Sequence, residues 1–126
     1  MSKLIGRCML VGAITEKMTH SGFAIRARLN DENLLPKYIC HFLKSNTARQ
    51  KMIDGGNGTN IKSLNQTTLS DMIIPIPSIS KQAQIVYQIE NLLEETQRLE
   101  ALYSRKIATL DELKKALLHR AFSGEL

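Results

Sequence analysis

Twelve residues in the middle of the chain concentrate groups that can hydrogen-bond a phosphate or the edge of a base. The run Gly55-Gly56-Asn57-Gly58-Thr59-Asn60-Ile61-Lys62-Ser63-Leu64-Asn65-Gln66 holds three glycines, three asparagines, a threonine, a lysine and a glutamine. The carboxamides of Asn57 and Asn60, the hydroxyl of Thr59 and the ammonium of Lys62 are groups that read bases and hold phosphates. The glycines let the backbone approach a ligand closely. It is not a phosphate-cradling P-loop, because the Gly-Lys-Ser/Thr ending is missing. An ordinary connecting loop can have the same composition, so both readings stand at this point. A second set of cations lies upstream. In Phe23-Ala24-Ile25-Arg26-Ala27-Arg28-Leu29 the apolar residues alternate with Arg26 and Arg28. On a strand the two guanidinium groups would share one face, either solvated or turned toward phosphate. Arg49 and Lys51, just before the glycine-rich run, are further candidate phosphate partners.

Catalytic chemistry has no comparable set. The sequence contains no paired-carboxylate motif, no His-Glu-x-x-His, no Gly-x-Ser-x-Gly and no cluster of Cys with His. We therefore assign no catalytic residue and no metal ligand. His41, beside an apolar helix face, reads as a structural histidine. Cys8 and Cys40 cannot by themselves form a disulfide framework or a four-ligand zinc site. They read as buried small hydrophobes, the usual fate of free cysteine, with a redox pair as the alternative.

The chain that must position these groups has 126 residues, enough for one domain or a small domain with an appendage. Charge divides it. Residues 1–79 hold ten basic and five acidic side chains, whereas residues 80–126 hold seven of each. The whole net charge of +5 thus belongs to the first segment. That asymmetry points to an anionic partner for the first segment and a different task for the second. There is no apolar run long enough to span a membrane and no secretory leader pattern at Met1–Arg7, so a cytoplasmic location is expected.

The basic segment reads as a small mixed domain. Residues 4–13 and 23–29 have strand character, and Asn30–Asn33 is a turn. Pro36 suits the first turn of a helix running from Leu35 to about Ser45, with Tyr38, Phe42 and Ile39 inward and Lys37 and Lys44 outward. A short helix follows from Ala48 to about Asp54 and is stopped by Gly55. A turn or short helix at Gln66–Asp71 leads into Met72-Ile73-Ile74-Pro75-Ile76-Pro77. Its alternate prolines suit an edge-type extended strand. From Lys81 to Ser123 there is no Pro or Gly. With Ser80 as cap, this predicts one helix over about 81–122, roughly 60 Å long. Its heptad positions include Ile85, Ile89, Leu92, Leu99, Tyr103, Leu110, Leu113 and Leu117, which is the seam of a coiled coil. Thr96 and Lys106 interrupt that seam. A second apolar row, with Val86, Leu93, Leu102, Ile107, Leu118 and Phe122, widens it. Glu94 and Arg98 form an expected i,i+4 pair on the outer face. The fold class expected is α+β: a small mixed recognition domain at 1–79, then a long helix at 80–126 that pairs antiparallel with another.

Four stretches in order carry a family resemblance: Leu35–Ser45; Gly58–Leu64 followed by Leu69–Pro77; Lys81–Val86; and Ala116–Leu126, which ends Ala121-Phe122-Ser123-Gly124-Glu125-Leu126. Together they resemble a target recognition domain and its conserved long helix in the specificity subunit of type I restriction–modification enzymes. The resemblance covers nearly the whole chain. Lys81-Gln82 stands where the family usually has Glu-Gln, and the chain shows one recognition segment and one long helix where a complete subunit has two of each. It is therefore expected to be half a subunit at most, lacking the earlier strands of its domain. The resemblance implies a non-catalytic chain that binds double-stranded DNA, reads half of a split target and docks methylation and restriction subunits. It also implies that S-adenosylmethionine belongs to the methylation subunits and that this chain holds no cofactor. The outward seam adds the expectation of a homodimer. The alternative is a coiled-coil assembly fragment that has lost DNA binding through truncation. An enzyme with an unrecognised site is the remaining reading.

Overall fold

The computed structural model describes residues 6–55 and 64–125. Four helices form: α1 (Pro36–Lys44), α2 (Asn46–Asp54), α3 (Gln66–Ser70) and α4 (Ile79–Phe122). The described residues contain no strand. This corrects the expected α+β class: the regular structure is helical. The alternation at 23–29 and the proline spacing at 72–77 describe chains suited to a sheet, but a strand exists only through hydrogen bonds to a neighbour. Neither segment has such a neighbour among the described residues, so both run as irregular chain. Phe23, the first apolar residue of the alternating run, is 98% exposed.

The helices follow local signals. Pro36 opens α1, where its missing N–H costs nothing. Ser45 serves two helices at once. Its backbone N–H closes α1 on the Phe42 carbonyl, and its hydroxyl caps α2 by accepting from the Ala48 N–H at 3.3 Å. Asn65 caps α3 through the Thr68 N–H at 2.7 Å. The helix α4 starts at Ile79, two residues earlier than expected, because the Ser78 carbonyl already accepts from the Gln82 N–H. It ends at Gly124, whose positive φ of 78° lets the Glu125 N–H turn back to the Arg120 carbonyl. Its 44 residues span about 66 Å.

The chain divides into two units, Met1–Val86 and Tyr87–Leu126. The first has a small core of Tyr38, Cys40, Ala48, Met52 and Val86. Phe42 and Ile39, expected inside, are only half-buried, and Cys40 takes the inner place beside Tyr38. Gly6 packs the start of the chain onto α2: a methyl group there would lie 3.3 Å from Met52 Cε and 3.4 Å from Arg49 Cγ, and its φ of +69° is a conformation that glycine adopts at little cost. No helix among the described residues is long and apolar enough to cross a membrane.

Two side chains tie the irregular segments of this unit to its helices, and a third orders the turn between them. The Tyr38 hydroxyl donates to the Pro75 carbonyl at 2.7 Å, anchoring the proline-spaced segment to α1. Asp31 organises the turn before α1 by accepting from the Asn33 N–H at 2.8 Å. Gln82, on the first turn of α4, is fully buried. Its amide donates to the carbonyls of Asn33 at 2.9 Å and Pro77 at 2.8 Å, while its Oε1 accepts from the Leu35 N–H at 3.0 Å. One carboxamide thus satisfies three backbone groups from two segments that lack regular structure.

In the second unit every residue from Asn91 to Glu125 is exposed. Leu92 is 68% exposed and Phe122 is 89% exposed. The ion pair on this helix differs from the i,i+4 expectation. Arg98 forks onto Glu95, with Nε 3.0 Å from Oε2 and Nη2 2.6 Å from Oε1. Hydrogen bonding to Arg98 holds the Glu95 carboxyl below its ordinary pKa. The pair is exposed and serves solubility rather than folding.

Candidate nucleic-acid interface

The base-reading candidates Asn57, Thr59, Asn60 and Lys62 lie outside the described residues. The two ends of their loop are described and are joined. Thr68 Oγ1 on α3 lies 2.9 Å from the Gly55 carbonyl at the end of α2 and 2.7 Å from Asn65 Oδ1. The fit is close: a Cβ at Gly55 would overlap the Thr68 methyl group and come within 2.7 Å of its hydroxyl. Gly55 itself has a helical φ of −79°. It is required here by contact with Thr68 rather than by the left-handed turn that often ends a helix. Thr68→Val should remove the bridge while keeping shape, and lower stability by about 1 kcal/mol. In urea unfolding the midpoint should fall with an unchanged slope. Gly55→Ala should cost more, since α2 and α3 must move apart.

The phosphate candidates fall into two groups. Arg26 and Arg28 are exposed on the irregular segment before α1. Arg49 and Lys51 are on α2, two positions apart, and so project about 200° from each other around the helix. Lys51 is exposed. Arg49 is half-buried, with its aliphatic stem near Gly6. Of the two, Lys51 is the one placed to reach a ligand beside the exposed side of α2.

The other titratable candidates take structural positions. His41 is half-buried on α1. Cys8 and Cys40 are free thiols whose sulfurs lie 3.7 Å apart, with Cys8 donating to Cys40. Burial, reinforced by that hydrogen bond, pushes the Cys8 thiol up to about 11, against a weaker opposing influence of Lys44. Among the described residues no three His, Cys, Asp or Glu side chains cluster to hold a metal.

Sequence reasoning missed Gln82 and Thr68 as tertiary ties. Gln82 could have been noticed: it stands four residues before Val86 on the second apolar row, so a polar group there must enter the core. Thr68 gave no such sign.

On α4, the seam residues divide along the helix. Ile85 and Ile89 are half-buried, whereas Leu92, Leu99, Tyr103, Leu110, Leu113 and Leu117 are exposed. The two polar interruptions are already satisfied within the helix. The Thr96 hydroxyl donates to the Leu92 carbonyl at 2.7 Å, and the Lys106 ammonium lies 5.6 Å from the centre of the Tyr103 ring. Covering this face would therefore leave no threonine hydroxyl without a partner.

The sequence that builds these helices belongs to a recognisable class. The family described as the type I restriction modification DNA specificity domain matches residues 2–107, and the chain belongs to that family. Among its relatives, the specificity subunit of the type I restriction enzyme EcoKI of Escherichia coli K12 is 28% identical over 98% of this chain, and the EcoBI specificity subunit of Escherichia coli is 25% identical over 98%. The StySPI specificity subunit of Salmonella potsdam is 32% identical over 72% of the chain. The chain spans about a quarter of the length of EcoKI and EcoBI subunits and 20% of StySPI's. No solved structure matches it.

Proposed function

We propose that this chain is a DNA-sequence recognition module of a type I restriction–modification complex. Its basic segment, residues 1–79, binds one half of a bipartite target. Its long helix, residues 80–126, spaces and docks subunits. The observation that carries this reading is the family match over residues 2–107, which takes in both the cationic segment and most of the apolar stripe. The names of the relatives, all specificity subunits of restriction enzymes, support it.

In this reading Arg26, Arg28 and Lys51 supply sequence-independent attraction to phosphate, and Asn57, Thr59, Asn60 and Lys62 supply base contacts. The chain is non-catalytic and carries no cofactor. Methyl transfer from S-adenosylmethionine and strand cleavage belong to the methylation and restriction subunits that it docks. The residues of α4 from Leu92 to Leu117 pair with the same face of a second copy, giving a homodimer with two antiparallel helices and two recognition heads.

A titration of duplex DNA across salt tests the DNA half. If three phosphates are contacted, raising salt from about 50 to 200 mM should weaken binding by about 40-fold. An affinity that stays flat over that range overturns the reading. The exposure of the irregular segment bearing Arg26 and Arg28 favours one second reading, an assembly piece without a formed DNA surface. A salt-insensitive chain that still self-associates would select it.

A further inference from the structure

We propose that Cys8 and Cys40 are a reversible disulfide site that latches the irregular segment before α1 onto that helix. The two residues are 32 positions apart in sequence, yet the fold brings their sulfurs to 3.7 Å, within hydrogen-bonding contact. Cys40 is held on α1 in the core, 7% exposed, and Cys8 is only partly covered. This is an attacking and resolving arrangement: one sulfur that a small oxidant can reach, and a second behind it that no other thiol is needed to replace. The proposal is independent of DNA binding.

The reaction with a low-molecular-weight disulfide such as oxidised glutathione balances without any further reactant. Cys8 loses its proton, and its thiolate attacks one sulfur of the glutathione disulfide. A mixed disulfide forms at Cys8 and the first glutathione leaves as thiolate. Cys40 then loses its proton and attacks Cys8 Sγ, forming the Cys8–Cys40 bond and releasing the second glutathione. Each leaving thiolate takes up one of the protons. Two protein thiols are oxidised and one glutathione disulfide is reduced to two thiols. The loop so closed holds Arg26 and Arg28, and its closure restricts the unfolded chain.

The groups bearing on Cys8 are Cys40 and Lys44, both from α1. The raised thiol makes the first step slow at neutral pH, so equilibration calls for long incubation or mildly alkaline solution. That slowness governs the rate and leaves the equilibrium to the proximity of the sulfurs.

The experiment equilibrates the full chain with reduced and oxidised glutathione at graded ratios, quenches with acid, alkylates free thiols and measures intact mass and peptides. The folded chain should lose two alkylatable thiols together and yield a linked Cys8–Cys40 peptide. Half-oxidation should need at least about tenfold less oxidised glutathione than the same chain requires in denaturant, since the fold holds the sulfurs in contact. The oxidised chain should also melt several degrees higher. Cys40→Ser should stop at a mixed disulfide on Cys8. Two accessible thiols surviving at the most oxidising ratio, bonding only between molecules, or folded and denatured chains oxidising at the same ratio would each overturn the proposal.

Discussion

Replacing Gln82 with alanine is expected to destabilise the first unit by about 3–5 kcal/mol, the largest single effect in that unit. The estimate rests on what the substitution leaves behind. The Leu35 N–H and the carbonyls of Asn33 and Pro77 all bond to a side chain with no exposed surface. A buried group left unsatisfied costs about 1–3 kcal/mol. A domain of this size has a total stability of only about 5–10 kcal/mol, so the loss removes a large share of it and the melting temperature should fall by more than about 10 °C. Gln82→Glu distinguishes this account from simple loss of packing. At neutral pH its carboxylate would accept from Leu35 but face two carbonyls, so the buried acid's pKa must rise. A raised folded pKa means that stability is present in acid and lost as pH climbs through that value. The glutamate variant should therefore recover stability, relative to the parent chain at the same pH, between pH 7 and pH 4. Urea denaturation at the two values measures this. Equal losses at both would remove the hydrogen-bond argument.

The second large effect is expected on α4. Changing Leu99 and Leu113 to glutamate should weaken self-association by at least ~10³-fold while moving the melting of the first unit little. Each buried leucine contributes about 1.5–3 kcal/mol. In a two-fold dimer every substitution occurs twice, so even the lower figure passes that threshold. Both residues lie in the stretch where every side chain is exposed, so the folded single chain loses almost nothing. A matching change on the outer face, Glu94→Gln, should leave association unaltered. Sedimentation of the variants decides the point, and a double glutamate variant that associates like the parent would place the interface elsewhere.

What could be read from the sequence divides along a physical line. Features set by neighbouring residues were legible. Pro36 at a first turn, a serine at position 45, Gly55 and Gly124 as stops, and the long run without Pro or Gly all correspond to observed helix ends within one or two residues. The strands were not legible, because alternation shows only that a segment suits a sheet. Pairing depends on a partner distant in sequence or outside it, and none stands beside residues 23–29 or 72–77 among the described residues. The same line runs through the site. Charge asymmetry and the exposed cations could be read from composition. The Thr68 bridge at the base of the loop, and the meeting of Cys8 with Cys40, depend on how helices pack. Gln82 lies between: its place on the apolar row marks it as buried, but its three acceptors and donors belong to segments that only the fold brings together.

On the proposed reading, the exposed apolar face of α4 is covered by the same face of a second copy. Sedimentation equilibrium of the unmodified chain, from about one to one hundred micromolar, tests this most directly. The account requires a mass of two chains across most of that range. A molecule that sediments as one chain throughout would contradict it.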